Sequence, residues 1–195
     1  GDETSDALLR AARQLLDDRG PTALTVRNIA TAADMSTMNV YSRFGGKDGV
    51  IDELYLEGFH RLIDALAAVP SSGQPLDDLI ALSKAYRDFA HEHPRYYAIM
   101  FRTAIQGYAP SPETSEQALG ALDLIAQRVV DAQSQGAMVL DERHDPLTVS
   151  ALLWATCHGL ISLELGEIGV ERVEWGEMFE LGITAAVEGL RPRPN

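Results

Sequence analysis

Apolar residues recur at helical spacing along almost the whole chain, and strand signals are nearly absent. That period dictates an all-α fold, in which each helix turns one stripe toward a shared interior. Glycine and proline cut the pattern into segments. Ser5 or Asp6 is placed to cap a first helix with Leu8, Leu9, Ala12, Leu15 and Leu16 as its stripe, ended by Gly20 and Pro21. Thr25 caps a short second helix, and Ser36 a third that runs to about Phe44. Gly45 and Gly46 separate it from a long fourth helix over 47–68, followed by a loop from Pro70 to Gly73. Further helices are expected over 75–92, 94–105, 112–135, 146–166 and 174–190, about nine in all. The tail from Arg191 to Pro194 cannot continue a helix.

Net charge is −13, which on its face opposes binding to a polyanion. Its distribution matters more than its sum. Residues 1–50 carry six basic and seven acidic side chains, a balance of −1, so the remainder of the chain holds −12. Acidity is concentrated away from the N-terminal end, an arrangement that permits contact with phosphate there and that a solvated acidic surface would share. A single cysteine, Cys157, leaves no internal disulfide and fits a reducing compartment. No uninterrupted apolar run reaches the roughly 18 residues of a membrane span, and the N-terminus has no basic-then-apolar leader pattern. A cytoplasmic protein with no membrane partner is expected.

Residues 25–44 have the form of two short capped helices joined by a tight turn. Ala30 and Ala33 are small enough for the helices to cross closely. With Ile29, Met35, Val40 and Phe44 turned inward, helical geometry puts Thr37, Met38, Tyr41 and Ser42 on the outer arc, and Asn39 and Arg43 near its edges. Asn and Arg are the side chains that pair bidentately with adenine and guanine in the major groove. Thr25 and Lys47 stand at or near helix N-termini, where hydroxyl, ammonium and free N–H groups suit phosphate oxygens. From Gly20 to Lys47 the chain resembles, without a gap, the DNA-binding domain of the TetR family of transcriptional regulators. The resemblance rests on Gly20, Thr25, Val26, Arg27, Ile29, Ala30, Ala33, Ser36, Tyr41, Phe44 and Lys47. It implies that Thr25, Tyr41 and Lys47 hold phosphates, while Arg27 and residues 37–43 contact bases. Asp34 departs from the pattern, standing where the family usually has the turn glycine. Asp tolerates a left-handed backbone, so the turn survives, but the charge sits close to DNA. Met38 and Ser42 are weak base readers, which leaves more of the specificity to Arg27, Asn39, Arg43 and DNA shape.

Ala151 to Leu165 is apolar on nearly every face, with Glu164 as its only charge. Such a segment must be buried on more than one side: by its own subunit on one, and most simply by a second copy on the other. The last helix, with Met178, Phe179, Leu181, Ile183, Ala186, Val187 and Leu190 and with Gly182, Ala185 and Ala186 small enough for close approach, is its expected neighbour. Trp154, His158 and Gly159, with residues 93–101, resemble the Trp-His-Gly type of C-terminal regulatory domain found among TetR-like proteins. Together the resemblances imply a DNA-binding domain over 1–47 and a ligand-binding, dimerising body over 48–195. They imply a homodimeric repressor on a palindromic operator in double-stranded DNA, released by a small and largely apolar molecule. Phe89, Tyr97, Met100, Phe101, Trp154 and His158 are the candidate ligand contacts, though aromatic stripes of this kind also serve as plain core.

His91 and His93 point to opposite sides of a helix and complete no metal shell; they read as surface histidines. Neither a catalytic triad order nor a phosphate loop is present, and Asp77 and Asp78 read as solvated helix surface, so no catalytic residue, metal or cofactor is expected. Two alternatives differ in what the body does. A same-fold adaptor would bind a protein and have a filled interior; a small helical enzyme would gather a polar cluster there.

Overall fold

The computed structural model describes residues 2–101, 105, 107–139, 145–167, 169 and 171–192. Among them are ten α-helices: α1 Glu3–Arg19, α2 Val26–Ala32, α3 Thr37–Phe44, α4 Lys47–Ala67, α5 Pro75–Glu92, α6 Pro94–Phe101, α7 Pro112–Ala118, α8 Gly120–Ser134, α9 Pro146–Leu165 and α10 Trp175–Glu188. A 3-10 turn, Pro21–Ala23, joins α1 to α2. No strand occurs among the described residues. The all-α expectation holds, and two elements differ from it. α1 begins earlier than Ser5 because the Asp2 carboxylate, at N-cap, accepts from the Ser5 backbone N–H at 2.7 Å. The segment expected as one helix over 112–135 is two, separated at Leu119, and residues 102–104 of the expected 94–105 helix lie outside the described residues. So do Arg193 and Pro194 of the tail.

The chain forms two compact units, neither continuous in sequence: Gly1–Arg61 with His93–Ala118, and Leu62–Glu92 with Leu119–Asn195. In the first, α1 packs on α2 and α3, around Leu8, Leu16, Ile29 and Val40, all without solvent exposure. The amide of Asn28 donates to the Ala23 carbonyl at 2.9 Å and fixes the start of α2 against the 3-10 turn. Glu57 of α4 joins Arg13 of α1 and Arg61, each at 2.7 Å. Burial alone would raise that carboxyl, but the two arginines outweigh it and hold it below its usual range.

In the second unit α8, α9 and α10 pack in sequence, and α5 touches all three. Arg87 of α5 forms a fork on Glu164 of α9, at 3.0 and 2.5 Å, while its guanidinium lies 5.5 Å from the Phe179 ring centre on α10. The one charge in the apolar stretch of α9 is therefore neutralised within the subunit, and the arginine holds the carboxyl below its ordinary value. His91 also reaches Glu164, at 3.2 Å. Asp78 is not solvated surface as its polar neighbour suggests. It is buried, and it accepts from both Ser72 groups at 2.8 and 2.6 Å and from Ser71 at 2.9 Å. Those bonds tie the 70–74 loop to the first turn of α5, where a carboxylate also complements the helix dipole.

At 20 residues, with mean hydropathy 1.4 in its most apolar window, α9 matches a membrane span by length and composition. Its packing explains the composition differently. Val149, Leu153, Cys157 and Ile161 point into the second unit, whereas Leu152, Ala155, Gly159 and Leu163 recur on an exposed face. On α10, Phe179, Ile183 and Val187 are buried while Met178, Leu181 and Ala185 are exposed. Gly182 permits the close approach expected of it: a Cβ there would stand 2.9 Å from a Leu160 methyl.

Candidate nucleic-acid interface

Packing inside the first unit decides which side of α3 faces out. Val40 is fully buried against α2, whose Ile29 and Ala30 are also buried, and the turn is drawn tight by the Met35 N–H donating to the Ala30 carbonyl at 2.9 Å. Asp34 takes the left-handed backbone expected of it, at φ +54°. The opposite side of α3 is therefore free. Thr37, Met38, Tyr41, Ser42 and Arg43 are exposed, Met38 at 70% and Tyr41 at 54%, and Asn39 is half-buried. A helix exposed along one side fits the major groove of B-DNA, which is about 12 Å wide and admits an α-helix.

Polar side chains on this face are partly engaged. The amide of Asn39 donates to the Ser36 hydroxyl at 3.3 Å, so Ser36 occupies the N-cap position without capping the backbone through its side chain. Ser42 donates to the Asn39 carbonyl at 3.2 Å. Arg43 pairs with Asp2 at 2.9 Å, a contact between the ends of α3 and α1 that spacing along the chain does not disclose. To reach a base, the guanidinium must leave that carboxylate. Thr25 caps α2 as expected, its hydroxyl accepting from the Asn28 N–H at 3.2 Å. Arg27 is exposed on the first turn of α2 and lines a surface recess with Arg19, Asn28 and Thr31. Arg19 and Thr31 are polar groups on this surface that the motif alone did not single out. Lys47 opens α4, half-buried and 3.8 Å from Asp48.

Asp34 provides a direct test of the turn. Asp34→Gly removes a Cβ from a left-handed position and one negative charge from this face. The variant is expected to gain up to about 1 kcal/mol in urea unfolding. It should also bind duplex DNA more tightly at low salt, with the gain fading as salt rises. A weaker complex at low salt would mean that the carboxylate has a role in the turn that glycine cannot supply.

The six candidate ligand contacts fall in both units. Phe89, Trp154 and His158 belong to the second, Tyr97, Met100 and Phe101 to the first. In the second unit a cavity of about 20 Å³ is lined by Leu79, Leu82, Tyr86, Leu153, Trp154 and Cys157 among others. The indole N–H of Trp154 donates to the Tyr86 hydroxyl at 3.2 Å. His158 lies one turn along α9, its ring 6.2 Å from that of Trp154 and its Nε2 3.3 Å from the Ser162 hydroxyl, and burial lowers its pKa. Burial likewise pushes the Cys157 thiol up to about 11, so it is a neutral wall of the cavity. Among the described residues no cluster of three or more His, Cys, Asp or Glu side chains could hold a metal ion.

Comparison with known proteins bears on the same two regions. Residues 8–54 match the family model of bacterial regulatory proteins of the tetR family, and residues 79–186 that of a tetracyclin repressor-like C-terminal domain. The HTH-type transcriptional regulator Rv1816 of Mycobacterium tuberculosis is 25% identical over 186 residues, spanning 82% of this chain and 79% of its own. A solved protein of unknown function from Rhodococcus sp. RHA1 superposes with a TM-score of 0.80 at 24% identity, over 98% of this chain and 97% of its own. The fold is also that of FadR from Thermus thermophilus, a TetR-family transcriptional repressor solved with lauroyl-CoA. That similarity has a TM-score of 0.70 at 20% identity, over 97% of this chain and 96% of the other.

Proposed function

The chain belongs to the TetR family of DNA-binding transcriptional regulators, and from that premise we propose that it is a homodimeric repressor released from a palindromic operator by a small molecule. The observation that carries the DNA-binding half is the outward arc of α3, exposed at Thr37, Met38, Tyr41 and Ser42 above a fully buried Val40. In this reading residues 1–47 are the DNA-binding domain and 48–195 the ligand-binding and dimerising body. Thr25, Tyr41 and Lys47 grip phosphates. Arg27, Thr37, Met38, Asn39, Ser42 and Arg43 face bases, with Met38 suited to the methyl group of thymine, the apolar feature of the major groove.

The exposed apolar faces of α9 and α10 support a two-fold interface, and two copies of α3 then meet half-sites about one helical turn apart or a multiple of it. The cavity beside Tyr86 and Trp154 supports an uncharged, largely apolar effector, because no charged side chain is among its lining residues. At its present volume the cavity must open to admit one. A ligand that fits the opened body better weakens DNA binding by its differential affinity, and by no more. The protein acts in the cytoplasm, without a cofactor and without a catalytic role.

Selection from a random double-stranded library tests the reading. The expected product is a palindromic site whose affinity falls steeply and linearly as log K against log salt. Binding that is equal for all sequences at every salt concentration would overturn it.

A further inference from the structure

One carboxylate joins the first helix of the chain to α3. Asp2 stands at the N-cap of α1, where its Oδ1 accepts from the Ser5 backbone N–H at 2.7 Å. Its Oδ2 lies 2.9 Å from Nη2 of Arg43, in the last turn of α3. The cap bond already holds the carboxylate in place, so little further freedom is lost on its side when the arginine comes to it. The Ser5 backbone N–H, with Arg43 adding to it, keeps the carboxyl below its usual range, so it is charged at neutral pH. Arg43 and Asp2 are 42% and 47% exposed. Water therefore reaches the pair, which can open without stranding a buried charge.

A guanidinium fork recognises a pair of acceptors, and carboxylate oxygens, guanine O6 and N7, and phosphate oxygens all supply one. Asp2 and DNA are thus rivals for the same group. When Arg43 turns to a duplex, the ion pair is lost and a carboxylate stays behind close to the polyanion. What the arginine gains on DNA is reduced by both costs, once in each subunit. Asp2 lies outside the helix-turn-helix, yet it acts on a side chain of the exposed arc of α3.

We propose that Asp2 is a positioning residue that sets operator affinity by competing with DNA for Arg43, a brake built into each subunit. Its effect on binding rests on the reading of Arg43 as a base contact; the ion pair itself does not. Asp2→Asn is the discriminating variant, because asparagine caps a helix as well as aspartate does and carries no charge. In the full chain it is expected to leave the far-ultraviolet circular dichroism unchanged. Affinity for the selected operator should rise about two- to five-fold per subunit, hence about 4- to 25-fold per dimer. The gain should shrink as salt rises. Asp2→Ser, which also caps, should act alike, and it decides if the asparagine variant does not fold. In an Arg43→Ala background, Asp2→Asn should change affinity no more than Glu3→Gln, which removes a neighbouring charge from the same turn of α1. Without DNA, the 15Nε–H signal of Arg43, assigned by its loss in Arg43→Ala, should shift in Asp2→Asn. Unchanged or weaker operator binding by Asp2→Asn, an equal gain from Glu3→Gln, a gain that survives Arg43→Ala, or an unmoved arginine signal would each overturn the proposal. Failure of the repressor reading would register instead as no selectable operator, while the arginine signal, which uses no DNA, would still report on the pair.

Discussion

A chain carrying Leu152→Glu and Leu181→Glu is expected to sediment as a folded monomer and to lose about 10²- to 10⁴-fold of its operator affinity. Both leucines are exposed in the single subunit, at 51% and 66%, so neither substitution opens its core. Each sits on a repeating apolar face: 152, 155, 159 and 163 on α9, and 178, 181 and 185 on α10. A surface of that kind without a partner is a liability in water, and burying it against its own copy is the simplest remedy. Two glutamates on each side would place four unpaired carboxylates in the contact, which desolvation makes far more costly than the lost apolar area. The affinity falls because the second half-site then becomes an independent binding event. Sedimentation equilibrium checks the mass, and far-ultraviolet circular dichroism checks that the helices remain. An unsubstituted chain that is monomeric at micromolar concentration would sink the interface, and a variant that stays dimeric would move it to another face.

What the sequence discloses is what is local. The helix ends at Gly20 and Gly45, the Thr25 cap and the left-handed Asp34 all follow from one or two residues and their neighbours, and the structure has them where expected. The outward face of α3 is legible because a short amphipathic helix admits one inward solution once Val40 is placed. Features that depend on distant partners were not. Asp78 looks like solvent-facing charge until the 70–74 loop folds back onto it. Asp2 supplies both a cap and the partner of Arg43, a pairing across 41 positions that no periodicity encodes. Most telling are residues 93–118, which join the first unit although 62–92 do not. The aromatic and methionine group that supplies Phe89, Tyr97, Met100 and Phe101 is thereby divided between two units, each with its own cavity.

Arg27→Ala and Lys47→Ala should weaken operator binding in ways that differ in kind. Arg27 is exposed at the start of α2, with no ion-pair partner among the described residues, and its planar fork matches guanine O6 and N7. Its removal is expected to cost about 1–3 kcal/mol per half-site and to relax preference at one base position. Lys47 is a point charge at the head of α4, with a carboxylate neighbour no closer than 3.8 Å. In the proposed complex an ammonium in that place would neutralise a phosphate and read no base. Lys47→Ala should therefore weaken all duplexes alike and flatten the slope of log K against log salt by about one per subunit, two per dimer. Titrating both variants against the selected operator and single-base mismatches, at several salt concentrations, separates the two roles. If Lys47→Ala altered base preference while leaving the slope intact, the phosphate grip would have to be reassigned, with Arg19 beside Arg27 as the first alternative.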